Sequence, residues 1–245
     1  MAGKKTADRA AVRVARKIVS EIRRRRQRPG TKLASEHRMV EELGVARATV
    51  REALRFLELQ GALRIKAGPG GGPVVSVPSA DHLASVLSLQ LQFADESFRS
   101  VAEARRAIYP LLAAQAAEHA THKDIESLHR SVARMRSVVA DSDLLTEELR
   151  RFQDIVAAAS GNTVLGLLVN ALHRMSEGSG VEHDSKQCRA AVRSSEEVLR
   201  AIEAGEAEAA RVVTEKWLSA AIRYWERVHP DALKQPIAWI QSAGS

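Results

Sequence analysis

Three features of the sequence predict a mainly α-helical protein in two parts, with a short two-stranded segment closing the first part. Helix-like periodicity broken by turn residues fills residues 9–61, and two strand-like segments follow. From residue 81 to residue 230 the pattern is helical throughout, rich in Ala and Leu. Charge divides at the same place, because residues 1–78 contain 18 Lys and Arg against 7 Asp and Glu, whereas the remainder contains 19 against 23. This asymmetry predicts a nucleic-acid-binding domain at residues 9–78 and a domain with another task at residues 81–230.

The first helix is predicted from Arg9 to Gln27, after a flexible tail of residues 1–8. Its apolar side chains recur on one helical face, at Ala11, Val14, Ala15, Ile18, Val19 and Ile22. The helix ends in the run RRRRQRPG, whose Pro-Gly pair stops it and whose arginines are favoured by the helix dipole. We interpret these arginines as a face that contacts the DNA backbone. A nuclear-localisation signal is the alternative interpretation.

Residues 35–61, SEHRMVEELGVARATVREALRFLELQG, predict two short helices joined at Gly44. Glycine can adopt the left-handed backbone that ends a helix and turns the chain. In the second helix one face is apolar and consists of Val50, Leu54 and Leu57. Another face carries arginines, namely Arg47, Arg51 and Arg55. The second helix of such a pair reads DNA with its N-terminal residues. An amphipathic surface helix with solvated arginines is the alternative.

Two extended segments, residues 62–66 and 73–77, follow with the glycine-rich AGPGGG between them. They predict a β-hairpin of the kind called a wing, which completes a winged helix-turn-helix. The tip of a wing can enter the minor groove, where glycine permits close backbone approach, so Gly68 and Lys66 are candidate DNA contacts. A plain hairpin turn is the alternative. A phosphate-cradling loop is disfavoured, because no Lys-Ser or Lys-Thr pair follows the glycines and no helix opens after them.

The order of helix, helix-turn-helix and wing over residues 9–78 resembles the DNA-binding domain of the GntR family of bacterial transcription regulators. The resemblance rests on residues 44–54, GVARATVREAL, which match the family pattern G-V-x-R-x-T-V-R-E-A-L. It implies that Arg47, Thr49 and Arg51 contact operator DNA. Arginine suits this role because its planar fork can hydrogen-bond guanine at two atoms, although a phosphate oxygen also satisfies it.

Three positions depart from the family pattern. Ala34 stands where proline is usual, and Ala46 stands where a serine or threonine usually caps the reading helix. Losing such a cap typically costs ~1 kcal/mol. His37 stands where an arginine often contacts DNA, and it remains a candidate contact because a histidine can donate to a phosphate.

Six or seven helices are predicted after a short hinge at residues 78–80. Their approximate spans are 81–93, 98–121, 123–140, 143–160, 162–176, 188–204 and 206–228. The polar, glycine-rich residues 177–187 are predicted to form a loop. Pro110 is expected to kink the second of these helices, since it removes a backbone hydrogen bond.

Three pieces of this half resemble the all-helical, effector-binding and dimerising FCD domain of the FadR-type subgroup of the GntR family; they are residues 101–120, 148–172 and 194–218. Many members of that subgroup hold a divalent metal with an aspartate and three histidines. The matching positions here are Leu149, Gln153, Ser195 and Trp217. Leucine and tryptophan offer no suitable donor atom, and a lone glutamine and serine are weak ligands. We therefore predict no metal of the family type and no other cofactor.

Loss of the polar metal ligands predicts a more apolar pocket, which favours an acyl-bearing effector over a small hydroxy acid held by a metal. Arg105 matches an arginine that often faces the pocket in the subgroup, where it could pair with a carboxylate or phosphate. A surface ion pair with Glu103 is its alternative role. Further pocket-lining candidates are Tyr109, Gln153, Ser195 and Trp217; Tyr109 stands where a glutamate is common.

Other protein classes find less support. No apolar run approaches the ~20 residues that cross a bilayer, and the charged N-terminus does not resemble a secretory signal, so the sequence predicts a cytoplasmic protein. Its single cysteine, Cys188, cannot form an internal disulfide and is expected to be buried. No paired carboxylates or Ser-His-Asp order indicates an enzyme, so no catalytic residue is predicted.

The resulting prediction is a homodimeric repressor of metabolic genes, released from a palindromic double-stranded operator by a small effector such as an acyl-CoA, a fatty acid or another carboxylate. Dimerisation is expected because two-fold half-sites require it. Two alternatives remain open. One is a non-specific basic DNA-binding protein, and the other is a helical-bundle ligand carrier or enzyme with an accessory DNA-binding domain.

Overall fold

A computed structural model describes residues 2–68, 70–177 and 184–240 of the chain. The chain divides into two compact units, the first of which runs to His82 and the second of which begins at Leu83. The described residues contain eleven helices and one two-stranded sheet, which confirms the predicted mainly α-helical class. Within the same residues, no helix is long and apolar enough to cross a membrane.

The first unit contains three helices and a hairpin, in the order α1 (Ala2–Arg24), α2 (Glu36–Leu43), α3 (Arg47–Leu59), β1 (Leu63–Lys66) and β2 (Gly72–Val75). α1 packs against α3, and the apolar faces of both helices meet in one core. The most buried members of this core are Val14, Ala15, Ile18, Met39, Val50, Ala53, Leu54, Leu57 and Leu63. Burial of these side chains fixes the orientation of α3, because its apolar stripe can face only the core.

The first helix differs from the prediction at both ends. It begins at Ala2, so the predicted flexible tail is wrong for residues 2–8, whose alanines and lysines are good helix formers. It ends at Arg24, before the predicted Gln27, because Arg26 adopts a left-handed backbone with φ 51°. The Gln27 amide then donates to the Ile22 carbonyl at 3.0 Å, which closes the helix end.

Local chemistry fixes the bounds of α2 and α3. The Ser35 hydroxyl accepts a hydrogen bond from the Arg38 amide at 3.3 Å and caps α2. Gly44, predicted to turn the chain, has φ 62° and ψ 36°, a left-handed conformation that residues with side chains disfavour. Ala46 precedes α3 in an extended conformation and supplies no side-chain cap, as its residue type predicts.

The predicted hairpin is confirmed. β1 and β2 pair in antiparallel register, with Leu63 opposite Val75 and Lys66 opposite Gly72. A Cβ atom at Gly71 would lie 2.2 Å from the Lys66 carbonyl oxygen, so the turn accepts only glycine at this position.

A third segment, residues 30–33, lies along the free edge of β2, although the sequence does not predict it to be extended. The Leu33 amide donates to the Pro73 carbonyl at 2.9 Å, and Lys32 forms an antiparallel bridge with Val74. The Lys32 ammonium also donates to the Gly70 carbonyl. These contacts attach the hairpin to the connection between α1 and α2 and brace its tip.

Eight helices follow: α4 (Ala80–Phe93), α5 (Phe98–His119), α6 (His122–Ser137), α7 (Ser142–Ala159), α8 (Thr163–Glu177), α9 (Ser185–Glu203), α10 (Ala207–Val228) and α11 (Pro230–Lys234). The seven predicted helices are present, and α11 is an addition, because five residues are too few to show a helical period. α5 is central to the bundle and packs against α7, α8, α9 and α10. It continues through Pro110, where a kink stays a prediction.

The predicted loop at residues 177–187 lies partly outside the described residues, which omit 178–183. α9 begins at Ser185, earlier than predicted, because the Asp184 carboxylate accepts a hydrogen bond from the Gln187 amide at 2.7 Å and caps the helix. Cys188, in the first turn of α9, is buried as predicted.

Changing the two N-caps should alter stability in opposite directions. Ala46→Ser places an oxygen beside the unbonded amides of the first turn of α3 and is expected to raise the free energy of unfolding by ~1 kcal/mol. Ser35→Ala removes the cap of α2 and is expected to lower it by a similar ~1 kcal/mol. Urea denaturation followed by circular dichroism measures both changes. Ala48→Ser, on the same helix but inside it, is the control; equal effects of Ala46→Ser and Ala48→Ser would contradict the capping explanation.

Candidate functional site

α3 presents two faces of opposite chemistry. Its apolar side chains are buried in the core of the first unit. The side chains of Arg47, Arg51 and Arg55 are 72%, 52% and 68% exposed. Because packing fixes the helix orientation, the row of guanidinium groups is held outward at a defined place on the surface.

Glu36, in the first turn of α2, lies against the start of this row. Its Oε2 atom is 3.9 Å from Arg47 Nε and 3.6 Å from a terminal nitrogen of Arg51. Arg55 instead pairs within α3, where its guanidinium lies 3.5 Å from the Glu52 carboxylate. The sequence does not point to Glu36, because only the fold brings the start of α2 beside α3.

The other predicted DNA contacts lie elsewhere in the same unit. Thr49 is half-buried in the first turn of α3, and His37 is 82% exposed on α2, with Nδ1 3.7 Å from the Glu41 carboxylate. Lys66 ends β1, and Gly68 follows it in the turn with φ 89°; both are exposed. Their roles as DNA contacts stay predictions.

Arg24, the last residue of α1, and Arg25, which follows it, both pair with Glu21 of that helix. Arg24 Nε donates to the Glu21 carboxylate at 2.8 Å, and Arg25 donates to the same carboxylate. Hydrogen bonds from Arg24 and, to a smaller extent, from Arg25 lower the pKa of Glu21 to about 2. The carboxylate is therefore ionised at neutral pH, and the helix end is less positive than its run of arginines predicts.

A second candidate site lies inside the helical unit, where α5, α7 and α8 meet. Arg105 of α5 is only 7% exposed. Its guanidinium donates to Gln153 Oε1 of α7 at 2.8 Å and to Ser176 Oγ of α8 at 3.1 Å. Arg105 is therefore buried between helices and is not on the surface, where the alternative interpretation placed it. A buried cation is costly unless polar partners surround it, so this arrangement needs an explanation.

Tyr109 and His173 bring two further buried polar groups to the neighbourhood of Arg105. Neither the Tyr109 hydroxyl nor His173 Nδ1 has a hydrogen-bond partner among the described residues. Burial raises the pKa of Tyr109 well above its ordinary value, against the opposing effect of Arg105. Burial, and then the positive charges of Arg105 and Arg174, hold the pKa of His173 well below its ordinary value. Both side chains are therefore neutral at pH 7. Together with Arg105, Gln153 and Ser176 they form the buried polar cluster.

Four more buried oxygen atoms of the bundle lack hydrogen-bond partners in the described part of the chain: Gln115 Oε1, Asp154 Oδ1, Asn170 Oδ1 and Thr214 Oγ1. Asp154 lies close enough to Tyr109 to influence its titration. A buried polar atom without a partner costs ~1–3 kcal/mol, and native proteins contain few. A concentration of such atoms is typical of a site that a polar ligand completes.

The remaining predicted pocket residues lie around this cluster or in the neighbouring core. Ser195 of α9 is fully buried, and its hydroxyl donates to the Ala191 carbonyl of the same helix at 3.0 Å. Trp217 of α10 is partly exposed and packs against the bundle core. The structure therefore brings Arg105, Tyr109 and Gln153 together and leaves Ser195 and Trp217 in the surroundings.

The bundle buries polar atoms outside the four positions from which the sequence predicts an apolar pocket. They are Asp154 Oδ1, Asn170 Oδ1 and the ring of His173, and their burial has no local sequence signal. The Asp154 side chain as a whole is 31% exposed. These atoms favour a polar ligand, and the apolar character of the pocket stays a prediction.

The residues present do not fit the metal of the FadR-type subgroup. Gln153, one of the matched positions, accepts a hydrogen bond from the Arg105 cation, and Leu149 packs against the apolar core. Across the described residues, no three His, Cys, Asp or Glu side chains are grouped so that they could hold a metal ion. A guanidinium at hydrogen-bond distance from Gln153 would also repel a metal ion there.

An open surface groove lies at the C-terminal end of α5 and the start of α8. Its lining residues are Gln115, His119, Ser160, Gly161, Asn162, Thr163 and Val164. None of these belongs to the buried polar cluster. The cluster is the stronger candidate site, because it combines a buried cation with the unsatisfied Tyr109 hydroxyl and His173 Nδ1, whereas the groove contributes one such atom, Gln115 Oε1.

A winged helix-turn-helix with an exposed arginine row, joined to a helical bundle with a buried polar cluster, is the architecture of two-domain transcription regulators. Residues 10–72 match the bacterial regulatory proteins of the gntR family, and residues 100–220 match the FCD domain. The chain therefore belongs to the GntR family and carries an FCD domain, which confirms the resemblance seen in its sequence.

Two relatives and one solved structure illustrate the similarity. The chain is 31% identical over 143 residues to the HTH-type transcriptional regulator LutR of Bacillus subtilis (strain 168), covering 58% of this chain and 64% of that protein. It is 28% identical over 179 residues to the HTH-type transcriptional repressor NanR of Enterobacter sp. (strain 638), covering 69% and 68%, respectively. The structure of Streptococcus agalactiae GntR matches with a TM-score of 0.68 and 21% identity, covering 87% of this chain and 99% of that one. This structural likeness shows the shared fold.

Acid should destabilise the helical unit through His173. Its pKa is held below the ordinary value of 6.5 in the folded protein, so the unfolded chain binds a proton that the folded chain does not. This contribution to stability is full above the unfolded-state pKa and should fall by up to about 1.4 kcal/mol per pH unit below it.

Urea denaturation at about pH 7.5 and about pH 5.5 measures this loss, which should be smaller in His173→Gln because that variant has no imidazole to titrate. His119→Gln is the control, since His119 is exposed and the variant should keep the full acid-induced loss. Equal losses in wild type and His173→Gln would contradict the assignment.

Proposed function

We propose that the protein is a homodimeric, cytoplasmic repressor of metabolic genes. In this proposal the first unit binds a palindromic operator, which the protein releases when a small carboxylate-bearing effector binds the second unit. The observation that carries the proposal is the outward row of arginines on α3, in a unit that matches the GntR family.

The start of α3 is suited to direct readout of base pairs. In a helix-turn-helix the second helix enters the major groove with its N-terminal residues towards the bases. Arg47 and Arg51 would hydrogen-bond guanine through their planar forks, with Thr49 between them on the same helix. Lys66 and Gly68 would follow the hairpin tip into the adjacent minor groove.

A second copy of the chain is the proposed partner, because a palindrome presents two identical half-sites related by a two-fold axis. Three large apolar side chains on the neighbouring helices α5 and α8 support self-association; Leu111, Val164 and Leu167 are all exposed in the single chain. Exposed apolar groups of this kind often mark an interaction surface.

The buried polar cluster supports a carboxylate as the recognised part of the effector. A carboxylate would accept hydrogen bonds from the Arg105 guanidinium and the Tyr109 hydroxyl. His173 Nδ1 and the other unsatisfied atoms would then contact polar groups elsewhere on the ligand. Among acyl-CoAs, fatty acids and small carboxylates, this polarity favours the small carboxylates.

Release from DNA would follow from a population shift. The effector must bind better to the domain arrangement that does not fit the operator, since equal affinity for both arrangements would change nothing. A typical coupling of ~1–3 kcal/mol weakens operator binding about 5- to 150-fold.

Arg47→Ala and Arg51→Ala should each weaken binding to the selected operator about 10- to 100-fold, because each removes a bidentate contact with a base. The operator is first obtained by selecting duplexes from a random pool with the full chain, and affinity is then measured by fluorescence anisotropy. Arg55→Ala, from the same exposed row but beyond the first turns of α3, is the control and should have a smaller effect.

Circular dichroism should show an unchanged fold in all three variants. A uniform footprint without a protected palindrome would support non-specific DNA binding instead. Catalytic turnover by the full chain, without ligand-dependent release of DNA, would support an enzyme.

Tyr109→Phe should separate ligand binding from folding. The hydroxyl has no hydrogen-bond partner among the described residues, so its removal should leave the thermal unfolding temperature unchanged or raised. If the hydroxyl binds the effector, ligand affinity should fall about 2- to 10-fold. Thermal-shift screening with small carboxylates, fatty acids and acyl-CoAs, with and without chelator, measures both properties.

Tyr224→Phe is the matched control, because the Tyr224 hydroxyl donates to the Asp184 carboxylate at 3.1 Å. That variant should lose stability without losing ligand affinity. The proposed effector site would be contradicted if an Arg105→Lys variant were still fully stabilised by carboxylates. It would also be contradicted if ligands stabilised the wild-type protein only when metal is present.

A further inference from the structure

Glu36 is the acidic residue that faces the base-reading arginines. One third of its side chain is exposed, and its carboxylate lies between Arg47 and Arg51, at 3.9 and 3.6 Å. The other carboxylates of α2 have different partners: Glu41 lies beside His37, and Glu42 accepts a hydrogen bond from Arg38 at 2.8 Å. Glu36 therefore places a negative charge on the surface that must approach DNA.

The contribution of Glu36 to the stability of the fold is too small to explain a negative charge at this position. Ion pairs on an exposed surface contribute ~0–1 kcal/mol, and both distances are longer than those of close hydrogen bonds. A carboxylate in the first turn of a helix gains a modest ~0.3–1 kcal/mol from the helix dipole. Any of several acidic positions in that turn would provide the dipole effect without approaching the arginines.

An effect of Glu36 on DNA binding is expected to be larger than its effect on stability and to depend on the DNA sequence. A carboxylate repels phosphate, and its negative charge also offsets part of the positive charge of both guanidinium groups, which reduces their attraction to phosphates of any sequence. Each guanidinium has five N–H donors, so one edge can stay on Glu36 while another binds guanine O6 and N7. Holding the two groups at fixed positions also lowers the entropy lost when they bind bases.

We propose that Glu36 is a specificity-determining residue of the DNA interface. It orients Arg47 and Arg51 towards base edges and penalises their binding to phosphates, so that the operator is preferred over other DNA. This inference rests on the proposed function, and it adds a residue that acts on discrimination more than on affinity.

Two matched variants test the inference in the full chain. Glu36→Gln and Glu42→Gln each remove one negative charge from α2 and keep the side-chain shape, but only the first changes the neighbour of Arg47 and Arg51. Affinities are measured for the selected operator duplex and for a scrambled duplex of equal length, at two salt concentrations.

Glu36→Gln should bind the scrambled duplex about 3- to 10-fold more tightly and reduce the operator preference about tenfold, because non-specific binding is mostly electrostatic. Glu42→Gln should change both affinities together and leave the preference within about twofold. Glu36→Asp keeps the negative charge but places it farther from the arginines, because the side chain is shorter. This variant should lower the preference for the operator without binding the scrambled duplex more tightly.

Equal operator preference in Glu36→Gln and Glu42→Gln would overturn the inference, since it would leave only a general charge effect. The proposed function would survive that result if the wild-type protein still preferred its operator. A wild-type protein without any preference would overturn both. Thermal unfolding of each variant shows whether the fold is retained. If only Glu36→Gln lowered the unfolding temperature, and its operator preference stayed unchanged, Glu36 would have a structural role instead.

Discussion

The packing of α3 against α1 is the constraint on which the DNA-binding surface depends. Burial of Val50, Leu54 and Leu57 leaves one orientation for the helix, and that orientation places Arg47 and Arg51 in solvent. The left-handed backbone of Gly44 and the cap on Ser35 then set how α2 approaches α3. Glu36 reaches both arginines only because these local features agree, so the chemistry of the surface follows from the core beneath it.

The helical unit differs, because it buries a charged side chain, Arg105, beside its apolar core. Arg105 is buried among hydrogen-bond acceptors, while the Tyr109 hydroxyl and His173 Nδ1 have no hydrogen-bond partner in the described residues. Unsatisfied buried groups reduce stability, and a ligand that completes them recovers that free energy on binding. A site that is incomplete by itself can therefore favour the bound arrangement strongly, which is what an effector-controlled switch requires.

Helix periodicity, turn glycines and the charge division predict most of the fold, because these signals are local. Gly44 and Ala46 behave as their residue types predict, and the hairpin forms where AGPGGG separates two extended segments. Features that depend on contacts between distant segments were not predictable. Glu36 has no motif of its own, residues 30–33 show no strand pattern, and the polarity around Arg105 arises where three helices meet.

The central claim is that guanidinium groups at the start of α3 read guanine bases. Methylation interference on the selected operator tests it most directly, because a methyl group on guanine N7 blocks the atom that a bidentate arginine contacts. Strong interference is expected at guanines placed symmetrically in the two half-sites, and the corresponding signals should be lost when Arg47 or Arg51 is replaced by alanine. Interference from phosphate ethylation alone, with no effect of guanine methylation, would contradict it.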